Sequence, residues 1–339
     1  MTQLNFAALA DESRVLMQAE LRPLQGERFQ PTGFPDLGAA RYVLADGTDM
    51  LAVESAQSVA NRMEAACWDE EAHDLRACLR GLPYIKVLDS TSGLLTTSVL
   101  EAHRINSPYI LESTDTTMLD RLQQETAGSN NGIVDVALLA KVMLKYDVNA
   151  LLHGVFIAKS ALAGGRLRLT RALSGFVEAR NIRPVELGGV KNDRVNPSGD
   201  AKKGFGNVPY HRTEFVAETI TAYFNLDLAL LKGYGLDAEA RNLLIALAFY
   251  KVQRFLDRGL RLRSACDLEI KGPITVTRPA GYELPSLAAL ESALPGLIQA
   301  CAAKGHFASP AITTVSFSPR KATPAETRKT DEADDDDER

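Results

Sequence analysis

The chain carries the stretch RLRLTRALSGFVEA at residues 166–179. Arg166 and Arg168 alternate with Leu167 and Leu169, and the predicted strand continues through Leu173 to Ala179. A period of two residues is typical of a β-strand that turns one face to solvent. The stretch therefore predicts a strand with one cationic face.

Further elements flank this strand on both sides. Hydrophobic periodicity predicts strands at residues 15–21, 84–88, 93–103, 151–157, 215–226 and 262–276, and helices at residues 54–68, 134–145, 237–258 and 286–304. This order of elements, with its long insertions, predicts an α+β domain with an antiparallel sheet.

A segment rich in glycine and proline follows the cationic strand. Residues 184–209 contain five glycines and three prolines. Such a segment is too long for an ordinary connection between two elements. We therefore predict a functional or mobile loop here.

Charge is unevenly distributed along the chain. The 339 residues carry 38 Lys and Arg against 43 Asp and Glu, and the net charge of −5 by itself predicts only solubility. Residues 159–212, however, hold eleven basic and four acidic residues, which is typical of a polyanion-binding segment. Residues 320–339 hold eight acidic residues and no large apolar one, so we predict a disordered acidic tail.

The composition also excludes several classes of protein. Four scattered cysteines cannot form a disulfide framework, and no run reaches the roughly 18 apolar residues of a membrane helix. The first residues lack the basic and apolar regions of a signal peptide. We therefore expect a cytoplasmic protein with no membrane association.

Sequence motifs for cofactor and metal chemistry are missing. No P-loop is present, and the Gly-x-Gly that starts at Gly204 is followed by Pro209, where a dinucleotide fingerprint needs glycine. Cys67, His73 and Cys78 are more consistent with structural residues than with zinc ligands. We expect no cofactor, no metal and no catalytic residue.

The loop nevertheless offers chemistry for nucleic acid. Six of its side chains can donate to phosphates, riboses or base edges: Lys191, Asn192, Arg194, Asn196, Lys202 and Lys203. Phe205 and Tyr210 can stack on bases. The neighbouring Asn207, His211 and Arg212 extend this set of candidate RNA-binding residues.

Two alternatives stay open at this point. The chain could be an RNA-processing endoribonuclease that uses His103 or His211 as general acid or base. It could also be a metabolic enzyme that binds a phosphorylated small molecule through residues 191–212.

Five longer motifs carry a family resemblance. They are FQPTGFPDLG at residues 29–38, VESAQSVANR at 53–62, RALSGFVEA at 171–179, GGVKNDR at 188–194 and GFGNVPYHR at 204–212. Over residues 15–276 the chain resembles the backbone subunit of the type I-G (formerly I-U) CRISPR Cascade complex, a RAMP protein of the seventh Cas family.

The resemblance implies a fold and a function. Such subunits have a modified RNA-recognition-motif (ferredoxin-like) palm with finger and thumb insertions. They stack head to tail as a homo-oligomeric filament along a guide RNA, which then pairs with target DNA, and they act with other Cascade subunits without being nucleases. On this basis we expect one palm domain over residues 1–319, with a finger near 89–132 and a thumb loop near 184–210.

The resemblance also assigns candidate site residues. Arg28, Gln30, Gln57, Asn61 and Arg62 match family motifs and would contact guide backbone or a neighbouring subunit. On the palm we expect Arg166, Arg168 and Arg171. On the finger we expect His103 and Arg104.

Overall fold

The structure is a computed structural model that describes residues 4–34, 37–129 and 132–318. The acidic tail expected at 320–339 lies outside these residues, as do Pro35 and Asp36 of the first family motif. The strands are β1 (Arg14–Pro23), β2 (Gly33–Phe34), β3 (Gly38–Ala39), β4 (Arg41–Val43), β5 (Asp49–Glu54), β6 (Trp68–Asp69), β7 (Asp74–Leu75), β8 (Tyr84–Leu88), β9 (Leu94–Thr97), β10 (Val155–Ile157), β11 (Leu167–Leu169), β12 (Leu173–Arg180), β13 (Arg183–Lys191), β14 (Val208–Val216), β15 (Thr219–Asp227), β16 (Arg261–Arg263), β17 (Cys266–Ile270), β18 (Thr275–Arg278) and β19 (Ile312–Ser316). The α-helices are α1 (Ala56–Ala65), α2 (Pro108–Leu111), α3 (Thr117–Glu125), α4 (Val136–Tyr146), α5 (Val148–His153), α6 (Leu228–Gly233), α7 (Ala238–Arg258) and α8 (Leu287–Ala303).

The chain divides into two compact units. The first unit takes the residues up to 69 together with 172–233 and 241–295, and the second takes 70–171, 234–240 and the residues from 296 onwards. Neither unit is a contiguous segment. Local sequence signals therefore cannot separate them.

The first unit is built on an antiparallel sheet of eight strands. Their order is β16-β17-β1-β15-β12-β5-β4, and β18 also pairs with β1. The strands β1 and β12 flank β15 in continuous register. The antiparallel sheet that the sequence predicts is therefore present.

Alternation along the strands gives this sheet two different faces. On β1, Val15, Met17 and Ala19 are buried, and the residues between them are accessible to solvent. On β15, Phe224 shares the buried face and packs edge to face on Phe255 of α7, with ring centroids 6.1 Å apart. Burial of apolar area against α7 stabilises the sheet, and the opposite face stays open.

The second unit contains a three-stranded sheet and most of the short helices. β8 lies between β19, to which it is parallel, and β9, to which it is antiparallel. A separate two-stranded ribbon joins β10 and β11. Among the residues that the structure describes, no helix is both long and apolar enough to cross a membrane.

The apolar run predicted as a strand at 151–157 is mostly helical. Residues 148–153 form α5, and only the last three residues extend as β10. The prediction was wrong because a short apolar run has the same composition in a buried helix and a buried strand. The predicted strand at 93–103 likewise ends early, at Thr97.

The single strand predicted at 166–179 is two strands in different sheets. β11 pairs with β10 in the second unit, whereas β12 begins at Leu173 and lies between β15 and β5 in the first unit. Sequence alternation shows which residues share a face. It does not show which neighbouring strand supplies the hydrogen bonds.

Candidate nucleic-acid interface

The glycine- and proline-rich segment is a hairpin with a long tip. β13 and β14 pair from Arg183↔Val216 to Lys191↔Val208, so strands occupy residues 184–191 and 208–209 of the segment that the sequence predicts as a loop. The two-stranded ribbon is buried at its base, where Phe215 is 2% exposed and exchanges two backbone hydrogen bonds with Phe29. Beyond this base both faces of the ribbon are accessible. We define the tip as residues 191–207.

A single carboxylate organises the tip. Asp193 Oδ1 accepts hydrogen bonds from the backbone N–H groups of Val195 and Asn196, both at 2.9 Å, and Oδ2 accepts from Gly206 N–H at 2.9 Å. These backbone hydrogen bonds hold the pKa of the Asp193 carboxyl below its ordinary value. Asn207 closes the loop by accepting a hydrogen bond from Asp193 N–H at 2.8 Å. The shape of the tip is therefore defined by hydrogen bonds within the tip itself.

Gly206 is required where the tip folds back on itself. Its φ is +84°, and a Cβ there would collide with the carbonyl oxygen of Gly199. Gly204 has a similar φ of +82°, but open space surrounds the position of its missing Cβ. The close approach of two backbone segments therefore restricts position 206 to glycine.

Four cations of the tip face solvent. Lys191, Arg194, Lys202 and Lys203 are all exposed, and within the described parts of the chain none of them forms a salt bridge. Both carboxylates of the tip accept hydrogen bonds from its backbone. Asp193 accepts from Val195, Asn196 and Gly206, and Asp200 accepts from Lys202 N–H at 3.0 Å. Unpaired cations on a fixed loop can bind phosphates without first breaking an ion pair. The exposed Asn192 lies among them.

Two aromatic rings lie on the hairpin and are about half exposed. Phe205 packs against Gly199 in the tip, and Tyr210 covers Gly189, its partner across the ribbon. The exposed fractions of Phe205 and Tyr210 are 52% and 48%. Each ring thus supports the hairpin and still presents a surface on which a base can stack.

The predicted residues His211, Arg212 and Arg28 all contact carboxylates of the hairpin. His211 Nε2 lies 2.7 Å from Glu186 on the neighbouring strand. Arg212 pairs with Glu214, a carboxylate that is only 3% exposed, and Arg28 approaches the same carboxylate at 3.6 Å. Arg28 and Arg212 therefore neutralise a buried charge at the base of the hairpin.

Arg62 and Gln30 belong to a second buried cluster. Glu54 is 3% exposed and is paired with Arg62 and Arg263. Arg62 also donates to the carbonyls of Arg261 and Leu262, and Arg263 donates to the carbonyl of Gln30 at 3.0 Å. Arg62 therefore joins α1 to β16, which is a structural role. Sequence analysis missed Arg263 because its partners are about 200 residues away.

The exposed side of α1 carries the other two motif residues. Gln57 donates from Nε2 to Asn61 Oδ1 at 3.2 Å, as expected for residues one helical turn apart. Gln57 is exposed and Asn61 is half-buried. Both amides can therefore reach a ligand.

The arginines expected on the palm do not lie on the large sheet. Arg166, Arg168 and Arg171 belong to the second unit, on and beside the β10–β11 ribbon. Arg166 donates to three backbone carbonyls, and Arg171 donates to that of His153 at 3.4 Å. Arg168 is exposed beside Phe156, its partner across the ribbon. These arginines lie off the large sheet because the predicted strand is divided into β11, in the second unit, and β12, in the first.

The two residues expected on a finger differ in accessibility. His103 is exposed, whereas Arg104 is 5% exposed and donates to the carbonyl of Gly154 at 3.2 Å. Direct contact between Arg104 and a ligand is therefore excluded in this conformation. Within the described ranges, no group of three or more His, Cys, Asp or Glu residues is arranged to hold a metal ion.

The chain was compared with models of known protein families. Residues 15–184 match the model of a family described as CRISPR-associated protein GSU0053. These residues span half of the chain and include α1, β12 and the start of β13. A search of curated proteins found no match.

Chains in a number of solved structures are similar to this one, among them the following three. A chain from a structure entitled "CRISPR RNA-guided surveillance complex, pre-nicking" is 14% identical, with 82% of this chain and 80% of that chain covered and a TM-score of 0.42. Csc2 from Thermofilum pendens is 9% identical, with 96% and 78% covered and a TM-score of 0.31. A chain from a "CRISPR RNA-guided surveillance complex" is 12% identical, with 94% and 99% covered and a TM-score of 0.27.

Proposed function

The chain belongs to the CRISPR-associated GSU0053 family, and on that premise we propose that it is the RNA-binding backbone subunit of a type I-G Cascade surveillance complex. Several copies polymerise head to tail along one guide RNA in the cytoplasm. They hold the guide for pairing with target DNA and contact other Cascade subunits. The subunit itself is not an enzyme.

The observation that carries this proposal is the tip of the hairpin. Four exposed cations (Lys191, Arg194, Lys202 and Lys203) lie on a loop whose own carboxylates are engaged by its backbone. Phosphate contacts hold a nucleic acid without reading its sequence. That is what a guide RNA requires, since base pairing supplies the specificity.

The same observation argues against a metabolic enzyme. Sites for small molecules enclose most of the ligand surface. The cations of the tip are exposed, and both faces of the ribbon below them are accessible. This geometry supports an extended polyanion that passes along a projecting loop.

The positions of the two candidate histidines give little support to the alternative that the chain is an RNA-processing endoribonuclease. His103 belongs to the second unit and His211 to the first. His211 is held by Glu186 on the outside of the ribbon. The test for this alternative is incubation with unprocessed guide precursor, and discrete cleavage products that are lost in H211A or H103A would favour it.

Replacing the four cations of the tip together with alanine tests the proposal. We expect the affinity for single-stranded RNA to fall at least about tenfold, and the slope of log affinity against log salt to flatten by up to about 3, since each phosphate contact contributes about 0.7. Fluorescence anisotropy with labelled RNA at several salt concentrations measures both quantities.

The control removes four exposed cations from elsewhere in the chain: Arg80, Lys141, Arg258 and Arg261. It changes the net charge equally and should leave the slope close to that of the unmodified protein. If the slope of log affinity against log salt were the same in both variants, the tip would not be part of the RNA-binding site.

A further inference from the structure

The large sheet of the first unit has an uncovered strand edge on each side. On one side β4 is the last strand, and among the described residues no strand pairs with its outer edge. On the other side β17 and β18 both pair with β1, and β16 covers β17. In the same part of the chain no strand covers β18. An uncovered edge is a row of backbone N–H and C=O groups to which a further strand can bind.

The hydrogen bonds beside β4 show which of its backbone groups point outward. Leu44 N–H donates to the carbonyl of Thr48 at 2.9 Å, so even-numbered residues on this side of the turn bond toward β5. Backbone direction alternates along an antiparallel strand. Arg41 and Val43 therefore direct their N–H and C=O groups away from the sheet. Val43 is 63% exposed, so these groups are accessible to a partner.

The same alternation gives the outward groups of β18. Lys271 N–H donates to the carbonyl of Glu20 at 2.8 Å, so even-numbered residues of β1 bond toward β17 and β18. Met17 therefore bonds toward β15 on the other side. Val276 lies opposite Met17, and its N–H and C=O groups consequently point to the outer edge.

The two edges are compatible in strand direction. The path from one edge to the other is β18-β1-β15-β12-β5-β4, and each neighbouring pair along it is antiparallel. Because the path holds an even number of alternating strands, β18 and β4 run in opposite directions. A second copy in the same orientation therefore brings its β18 antiparallel to β4 of the first copy.

The two edges also agree in the face to which their side chains belong. Val276 lies opposite the buried Met17, on the face that packs on α7. Val43 lies on the same face, because it is two residues from Arg41, the partner of the buried Leu51. Strand pairing between two copies thus keeps their packed faces on one side.

Charge favours β18 of another copy as the strand that binds β4. Antiparallel pairing places the turn that follows β4 beside the segment that precedes β18. The turn contains Asp46 and the segment contains Lys271, with side chains 63% and 53% exposed. Their present partners, Arg180 at 3.9 Å and Glu20 at 2.6 Å, form surface ion pairs, which are weak. Opposite charges can therefore meet between two copies.

We propose that the uncovered edge of β4 pairs, antiparallel, with the uncovered edge of β18 on the next copy of this chain. The contact joins two different surfaces and does not close, so it continues the sheet from copy to copy. The inference rests on the proposed function, because the guide RNA gathers the copies. It assigns the contact between copies to backbone hydrogen bonds of two particular strands.

Val43→Pro tests the β4 edge, because it removes one outward N–H and leaves the ladder with β5 intact. Proline is tolerated in edge strands where the N–H faces away from the sheet. We expect V43P to raise the protein concentration needed to fill an RNA with room for several copies at least about fivefold. Sedimentation velocity measures the filling. Affinity for an RNA with room for one copy should stay unchanged, since the hairpin tip is unaltered.

Val43→Thr is the matched control. It keeps the N–H and the β-branched shape of the side chain, so it should fill the long RNA at the same concentration as the unmodified protein. Circular dichroism checks that the sheet is intact in each variant. If a proline variant loses the sheet signal, Val43→Lys and Thr277→Lys replace the two prolines, because a lysine on an edge hinders strand addition and keeps every backbone donor.

A mixing experiment tests the direction of the contact. Val276→Pro removes the outward N–H of β18, so V43P and V276P each keep the edge that the other lacks. Either variant alone should bind the long RNA as separate copies, whereas an equal mixture should form pairs and nothing longer. A defect in V43P alone, with V276P normal, would indicate a two-fold contact between two β4 edges and overturn the proposal.

The remaining outcomes separate this contact from the proposed function. Filling of the long RNA by V43P and V276P at the concentration that the unmodified protein needs would overturn the edge contact and leave the filament in place. Complexes of the unmodified protein that do not grow with RNA length would overturn the filament and the edge contact together.

Discussion

Individual residues that match the family motifs divide into two roles. Glu54, Arg62 and Arg263 form a buried ionic cluster, whereas Gln57 and Asn61 on the same helix keep accessible amides. A motif therefore mixes residues that hold the fold with residues whose side chains are accessible to a ligand. Burial and hydrogen bonding distinguish the two groups, and the residue type does not.

We expect Glu54→Gln to destabilise the first unit strongly. The substitution leaves two guanidinium groups beside a neutral amide, and the loss of one partner from a buried pair costs about 3–5 kcal/mol. Urea unfolding followed by circular dichroism measures the change. The control is Glu269→Gln, which breaks an exposed pair with Arg22 and should cost less than about 1 kcal/mol. Equal losses would contradict a structural role for the cluster.

Among the elements, the β13–β14 hairpin differs most from what the sequence predicts, because part of the predicted loop is a paired two-stranded ribbon. Local composition predicts a functional or mobile loop, whereas β13 and β14 pair along the ribbon and Asp193 forms hydrogen bonds across the tip. Glycine and proline are tolerated because a two-stranded ribbon leaves the outer edge of each strand without ladder hydrogen bonds. The clustering of cations could be predicted from sequence, but their presentation on a tip held together by the hydrogen bonds of Asp193 could not.

The tip provides a test at the scale of one element. Gly206→Ala places a Cβ against the Gly199 carbonyl oxygen, whereas Gly204→Ala places one in open space at almost the same φ. We expect G206A to weaken RNA binding at least about fivefold, or about 1 kcal/mol, and G204A to have little effect. Anisotropy measures affinity, and circular dichroism checks that the sheet is intact. Similar affinities would show that the shape of the tip does not matter.

At the scale of the whole molecule, the basic segment at 159–212 is divided between two units. Arg166, Arg168 and Arg171 belong to the second unit, and the hairpin belongs to the first. Several of these cations are bound to carboxylates or carbonyls of the protein itself, among them Lys159, Arg166 and Arg212. The net charge of a segment therefore overstates the number of cations available to a ligand.

Assembly is the prediction that belongs to the whole molecule. A head-to-tail contact joins two different surfaces and does not close, so copies add along the RNA until it is covered. We expect the sedimentation coefficient of the complex to increase with RNA length, and protein purified at low salt to carry nucleic acid with strong absorbance at 260 nm. One fixed mass for all RNA lengths would contradict the filament.

The sequence by itself determined two things. It predicted those helices and strands whose hydrophobic periodicity is long and regular, and it identified the family. The helix predicted at 237–258 is observed at Ala238–Arg258, and β1 and β8 lie where alternation places them. These elements could be predicted because the periodicity of a helix or a strand is visible in residues that are close together in the sequence.

Only the tertiary structure decided which of the candidate residues are available. It separated β11 from β12, buried Arg104, engaged Arg28 and Arg62 with distant carboxylates, and placed Phe176 beside Tyr223. The physical reason is that strand pairing, burial and ion pairing join residues far apart in the chain. No local pattern contains that information.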